Sequence, residues 1–242
     1  MPSTRSALPA WQRLVEHRRA ASGRRLRELF AEDAARFRKF SLAADGILLD
    51  FSKQLVTEET MRLLAALARE CGLETWIERL FAGERVNTTE NRAALHVALR
   101  SDRPVRLDGR DVTPDVRAAL SAMGRFVRGI QSGSVKGATR RAFTDVVNLG
   151  IGGSDLGPRL VCEALAPYAR ARPRLHFVSN VDGAALAAVL ERLNPATTLF
   201  VITSKTFTTA ETLANARSAS AWLAGKLGGK SDIARHLCAV TA

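Results

Sequence analysis

Cysteine, histidine and tyrosine are scarce in this chain, and long apolar runs are missing. Three cysteines, Cys71, Cys162 and Cys238, stand far apart in 242 residues, and no CxxC pair occurs. An odd, scattered set argues against a disulfide framework and a thiolate zinc site, and suits a reduced, cytoplasmic setting. No stretch approaches the roughly 18 apolar residues that span a bilayer, so no transmembrane helix and no membrane partner are expected. Residues 1–15 hold Arg5 and Arg13 without an apolar core, which argues against a secretory signal. The four histidines are His17, His96, His176 and His236. None pairs with a carboxylate at a spacing that suits catalysis or metal binding, so no metal and no other cofactor is expected. His176 and His236 lie in apolar runs and read as core. His17 reads as a solvated helix face, and His96 as a helix residue near a site or a dimer surface.

Lysine is scarce too. Only six of the 36 basic residues are Lys, yet the net charge is +12. Such a balance raises the question of nucleic acid. The excess is spread out: residues 1–142 carry +9 and residues 143–242 carry +3. The densest stretch, His17 to Arg27, mixes Arg with Ala and Leu at helical spacing, as a solvated helix face does. The Arg and Ala bias reads as a compositional habit, and no nucleic-acid partner is expected.

What is present is periodicity, and it changes along the chain. Residues 8–20, 24–40 and 58–70 repeat apolar residues every three or four positions and predict helices. Thr57, ahead of Glu58 and Glu59, predicts an N-cap. Thr113-Pro114-Asp115 opens another helix that runs to about Ile130. After residue 142 short β-branched runs take over, at 145–150, 174–179, 198–203 and 236–241. Ala/Leu-rich helical stretches separate them, at about 156–166, 183–193 and 208–227. Strand and helix in alternation predict an α/β domain with a parallel sheet flanked by helices, preceded by a helical N-terminal extension. The boundary is placed at 142/143.

Two strand ends carry unusual loops. Gly150-Ile151-Gly152-Gly153-Ser154-Asp155 fails the GxGxxG dinucleotide pattern, and no GK[ST] follows. Ser154 is placed to cap the next helix, beside its anion-binding N–H groups. A tight strand-to-helix turn explains the same glycines. Thr203-Ser204-Lys205-Thr206-Phe207-Thr208-Thr209-Ala210-Glu211-Thr212 sets hydroxyls and one lysine between a strand and a helix, which suits a phosphate dianion. The bland explanation is a capping box from Thr208 to Glu211. It leaves Ser204, Lys205 and Thr206 unexplained.

Asn148 to Pro158, Ser204 to Thr212 and Asn87 to Arg100 all resemble loops of the glucose-6-phosphate isomerase family. Trp11-Gln12 and Asp50-Phe51-Ser52-Lys53 also resemble it, in the family's order, so the resemblance covers nearly the whole chain. It implies the sugar isomerase (SIS) fold. Residues 1–142 become the N-terminal extension, and residues 143–242 a first SIS domain that is incomplete, with the second SIS domain absent. It implies that Ser204, Thr206 and Thr209 hold a sugar phosphate together with Lys205, that Gly153 and Ser154 line the sugar, and that Glu211 matches a family glutamate near the active-site histidine. The implied reaction interconverts glucose 6-phosphate and fructose 6-phosphate, in glycolysis and gluconeogenesis, by ring opening and proton transfer between C2 and C1 through a cis-enediol. The family's base, ring-opening histidine, stabilising arginine and late lysine belong to segments beyond Ala242. No catalytic residue is therefore expected in this chain, and little turnover from it alone. The complete family protein is expected to be a homodimer. A phosphosugar-binding module without catalysis uses the same hydroxyl loop and stays open as the alternative.

Overall fold

The computed structural model describes residues 5–169, 172–229 and 233–241. The chain divides into two units, Met1–Val116 and Arg117–Ala242.

The first unit is mainly helical. Helix α1 (Pro9–Ala21) begins with proline at its first turn, where a missing N–H costs nothing. Helices α2 (Leu26–Glu32) and α3 (Arg36–Lys39) follow, then a hairpin of β1 (Ser41–Ala44) and β2 (Ile47–Asp50). Helices α4 (Glu58–Glu70) and α5 (Leu73–Phe81) come next, and β3 (Arg106–Leu107) and β4 (Arg110–Asp111) make a second small hairpin. Thr57 caps α4 as predicted: its hydroxyl accepts from Thr60 N–H, while Thr60 Oγ1 accepts from Thr57 N–H. Glu70, at the far end of α4, accepts from the Ala10 N–H at the start of α1 (2.8 Å) and pairs with Arg13.

The continuous helix expected over 24–40 is broken. The Asp33 carboxylate takes the Ala35 N–H (2.9 Å), a local bond that competes with the helical ladder. The break also serves Arg36, which is buried and donates to the carbonyls of Ser52, Gln54 and Val56 while lying against the Phe40 ring. A buried guanidinium needs such partners. His17 is half-buried rather than solvated, with Nε2 2.7 Å from Thr60 Oγ1.

Helix α6 (Thr113–Ser132) leads into the second unit. There β5 (Asp145–Leu149), α7 (Gly153–Ala164), β6 (Arg174–Val178), α8 (Gly183–Leu190), β7 (Thr198–Thr203), α9 (Ala210–Leu227) and β8 (Leu237–Val240) alternate. The four strands form one all-parallel sheet in the order β6-β5-β7-β8. His236 sits in the 3-10 turn just before β8 rather than in the strand, and it is fully buried. Alternation sends Val147, Leu149, Val178, Phe200 and Ile202 to one face, where Leu186 of α8 and Ala216, Ala219 and Leu223 of α9 close over them. Burying each large aliphatic or aromatic side chain there contributes about 1.5–3 kcal/mol.

Candidate functional site at the switch point of the sheet

The chain runs from β5 outward to β6, then returns past β5 to β7. The loops after β5 and β7 therefore leave neighbouring strands toward opposite faces of the sheet. Such a reversal opens a crevice at the carboxyl ends of the strands, where α/β proteins bind ligands. Both loops singled out by sequence end at this crevice.

The first loop is shaped by close backbone approach. A Cβ on Gly150 would stand 2.6 Å from the Ser154 carbonyl oxygen, so no side chain fits there. Gly152 has φ +59°, a left-handed conformation that glycine adopts without strain. Gly152, not Ser154, is the residue ahead of α7, and no side chain caps that helix. Ser154 lies inside the first turn and is half-buried; Gly153 is exposed.

In the second loop Ser204 is buried and its N–H donates to the Val240 carbonyl (3.0 Å), fixing the loop to the end of β8. The hydroxyls of Ser204 and Thr209 are 3.1 Å apart, and those of Thr206 and Thr208 2.6 Å apart. Thr241 Oγ1 donates to the Lys205 carbonyl (3.1 Å). The Thr208–Glu211 capping box is not formed: Thr209 precedes α9, and its side chain makes no capping bond. Phe207, at φ +55°, bends the loop so that Thr208 turns to Thr206 instead. Glu211 is exposed in the first turn of α9.

Asn148 joins the two loops, and sequence reasoning gave it no role. Its Nδ2 donates to the Ser154 carbonyl (3.0 Å), and its Oδ1 accepts from Thr203 Oγ1 (2.8 Å). A polar residue inside the apolar run of β5 was the available signal. Thr212 was missed as well. Its Oγ1 is buried with no hydrogen-bond partner among the described residues.

The N-termini of α7 and α9 both open at this crevice, so two helix dipoles present positive ends and spare N–H groups to it. Asp155 is buried and answered by Arg159 (3.0 Å). Proton-transfer groups are few: His176 bonds Asp145 at the opposite end of the sheet, and His236 is closed between Ala138 N–H and the Thr198 carbonyl. Among the described residues no group of three His, Cys, Asp or Glu could hold a metal ion. The third motif, Asn87 to Arg100, lies in the first unit. There Asn87 Oδ1 accepts from Thr89 Oγ1 and Glu90 N–H, and His96 sits in a 3-10 turn, Leu95–Leu99.

An all-parallel sheet with a hydroxyl-rich crevice at its reversal point defines an α/β protein of the kind that binds ligands at its strand ends. The family model described as phosphoglucose isomerase matches residues 50–242, and the chain belongs to that family. It is 52% identical over 236 residues to the glucose-6-phosphate isomerase of Methylococcus capsulatus, covering 97% of this chain and 43% of the relative. It is 53% identical over 230 residues to that of Chelativorans sp., covering 94% and 42%. The crystal structure of a glucose-6-phosphate isomerase from Chlamydia trachomatis superposes with a TM-score of 0.77 at 25% identity, covering 98% of this chain and 45% of that one. The chain thus spans less than half the length of these relatives. Among the described residues no helix is long and apolar enough to cross a membrane.

Proposed function

We propose that the chain is the phosphate-holding portion of a glucose-6-phosphate isomerase. The observation that carries this is the meeting of the two family loops at one crevice, with the Ser204, Thr206, Thr208 and Thr209 hydroxyls ahead of the α9 N-terminus. Ser204, Thr206 and Thr209, with the main chain of Lys205, hold the phosphate by neutral hydrogen bonds and the helix dipole. Gly153 and Ser154 line the sugar, and Glu211 stands at the rim of the same crevice. Residues 143–242 form a first SIS domain, and residues 1–142 its N-terminal extension.

The isomerisation needs ring opening, a carboxylate base that moves a proton between C2 and C1, and a cation that stabilises the enediol oxygen. The crevice supplies the anchor for the phosphate but no histidine. The reading assigns base, histidine and cation to the length that the relatives carry beyond the match. It also makes the complete protein a cytoplasmic homodimer that takes a sugar phosphate and neither nucleic acid nor membrane. The free state of all three cysteines supports a reducing compartment.

Calorimetric titration of the 242-residue chain with glucose 6-phosphate, and with glucose as the control, tests the anchor. Binding of the phosphate ester alone, lost with Thr206→Val, is the expected result; equal binding of glucose would overturn it. An assay on fructose 6-phosphate tests the division of labour, and turnover by this chain at the rate of a complete relative would refute it. A crevice that anchors the phosphate without a histidine beside it equally suits a binding module without catalysis. A full-length version that binds the phosphate ester without turnover would establish that second reading.

A further inference from the structure

Strand β5 carries one residue that its neighbours do not predict. Val146, Val147 and Leu149 suit a strand covered on both faces, whereas asparagine is depleted in strands and costs stability unless its amide is partnered. Asn148 is half-buried and partnered at both ends: Oδ1 accepts from Thr203 Oγ1, and Nδ2 donates to the Ser154 carbonyl. We propose that Asn148 is a positioning residue, which holds the sugar-lining turn of α7 at a fixed distance from the phosphate loop. The proposal rests on the phosphate-holding function given above and adds what keeps its two loops in register.

The Ser154 carbonyl explains why the bond is needed. Within α7 that carbonyl would accept from the N–H of the residue four positions on, but that residue is Pro158, which has no N–H. The proline thus leaves a first-turn carbonyl open to a side-chain donor. Gly150 lets the turn settle onto the end of β5, since a Cβ there would meet the same carbonyl oxygen. Asn148, two residues earlier, reaches that oxygen with Nδ2 at 3.0 Å. A carbonyl accepts and does not donate, so the amide nitrogen faces Ser154 and the amide oxygen is left for Thr203.

The other end of the bridge follows from register. Val147, Leu149, Phe200 and Ile202 face the core beneath α8 and α9, so alternation puts Asn148 and Thr203 together on the opposite face. Asn148 pairs with Val201, and Thr203 lies two residues further along β7. Thr203 ends that strand and directly precedes Ser204, so the bridge ends beside the phosphate loop. That loop has ties of its own, from the Ser204 N–H to the Val240 carbonyl and from Thr241 Oγ1 to the Lys205 carbonyl. Removing the Asn148 amide should therefore free the α7 turn and leave the phosphate loop in place.

Titration of the 242-residue chain with glucose 6-phosphate and with inorganic phosphate tests this. Asn148→Leu keeps the size of the side chain and removes both bonds. It should weaken glucose 6-phosphate binding about tenfold and leave inorganic phosphate within about twofold, because only the sugar needs the α7 turn. Pro158→Ala separates positioning from structure, since it returns a backbone N–H to the Ser154 carbonyl. Asn148→Leu should lower the melting temperature by about 4 °C, and adding Pro158→Ala should restore it without restoring glucose 6-phosphate affinity. Restored affinity would reduce Asn148 to a partner for one helix carbonyl and overturn the proposal. An equal loss for both ligands, or a loss for neither, also overturns it. Amide exchange at residues 152–157 gives a readout without ligand: it should run about tenfold faster in the double variant than in the parent, and an unchanged rate overturns the proposal. A parent chain that binds no glucose 6-phosphate overturns the proposed function, and the exchange rates then still decide whether Asn148 holds the turn.

Discussion

At the amino end of the sheet Asp145 is buried and accepts from Arg174 Nε and Nη2, from the ring N–H of His176 and from Thr144 Oγ1, at 2.8–3.1 Å. Beside it the His236 ring accepts from Ala138 N–H and donates to the Thr198 carbonyl. At the carboxyl end of the same strands Ser204, Thr206, Thr208 and Thr209 bond one another in pairs. The first group holds the charges and the histidines, and its polar atoms are spent on the protein itself. The second holds hydroxyls, each with one donor and two acceptor positions, so pairing leaves capacity for a ligand. An ionised cluster is therefore no guide to the site here. The difference between the ends lies in which hydrogen bonds are already made.

That contrast can be broken from either side. The largest effect is expected at the amino end. Asp145→Asn should lower stability by about 2–3 kcal/mol, less than the roughly 3–5 kcal/mol of a fully buried pair, because Arg174 is exposed and can turn to water. Urea unfolding reads this, and phosphate affinity should hold. A loss of affinity without a loss of stability would mean that the two ends are not independent. At the carboxyl end Ser204→Ala or Thr206→Val should weaken glucose 6-phosphate binding by about 10- to 100-fold, or ~1.5–3 kcal/mol for a hydrogen bond to a charged group. The melting temperature should hold; a variant that melts early yet binds normally would assign these hydroxyls to structure. Gly150→Ala should cost both, by about 1–2 kcal/mol of stability, since overpacking against the Ser154 carbonyl must shift the first loop.

The smallest effect is a pH dependence. Burial pushes the Asp145 carboxyl up, but hydrogen bonds from Arg174, His176 and Thr144 outweigh it and hold the group below its ordinary value of 3.8. A depressed folded value means that the unfolded chain takes up the proton first. The stabilisation is then complete above the ordinary value and is lost as pH falls through the folded one. The stability gap between the parent and Asp145→Asn should thus be constant from neutral pH down to about pH 5, then close below about pH 4. A gap that closes near neutrality would mean that another group carries the stabilisation.

Much of this was legible in order along the chain. The four strands and the helices at 9–21, 58–70 and 210–227 follow the apolar period closely. The Thr57 cap follows from one side chain and its neighbours, and the family follows from three motifs. What was misread depended on contacts. The split of 24–40 turns on Arg36 reaching carbonyls sixteen to twenty positions away. The hairpin β1–β2 exposes Leu42, Ile47, Leu48 and Leu49, so it has no inside-outside alternation to reveal it. Residue type offered Ser154 as a cap and a Thr208–Glu211 capping box as the bland alternative, but backbone dihedrals moved each helix start by a residue or more, to Gly152 and Thr209. The texture of the sequence changes at 142, and compactness groups α6, from Arg117 onward, with the sheet.

The sequence by itself determined which segments are strands, which loops carry hydroxyls and glycines, and which family the chain resembles, because each is a property of neighbouring residues. Tertiary structure decided that β5 and β7 lie side by side, though some fifty residues separate them, and so brought the two loops to one crevice. It also decided that Asp145 is satisfied while the Ser204–Thr209 hydroxyls keep capacity to bind. Whether a polar atom is spent or available depends on partners distant in the chain, which only the packed sheet brings within hydrogen-bond reach.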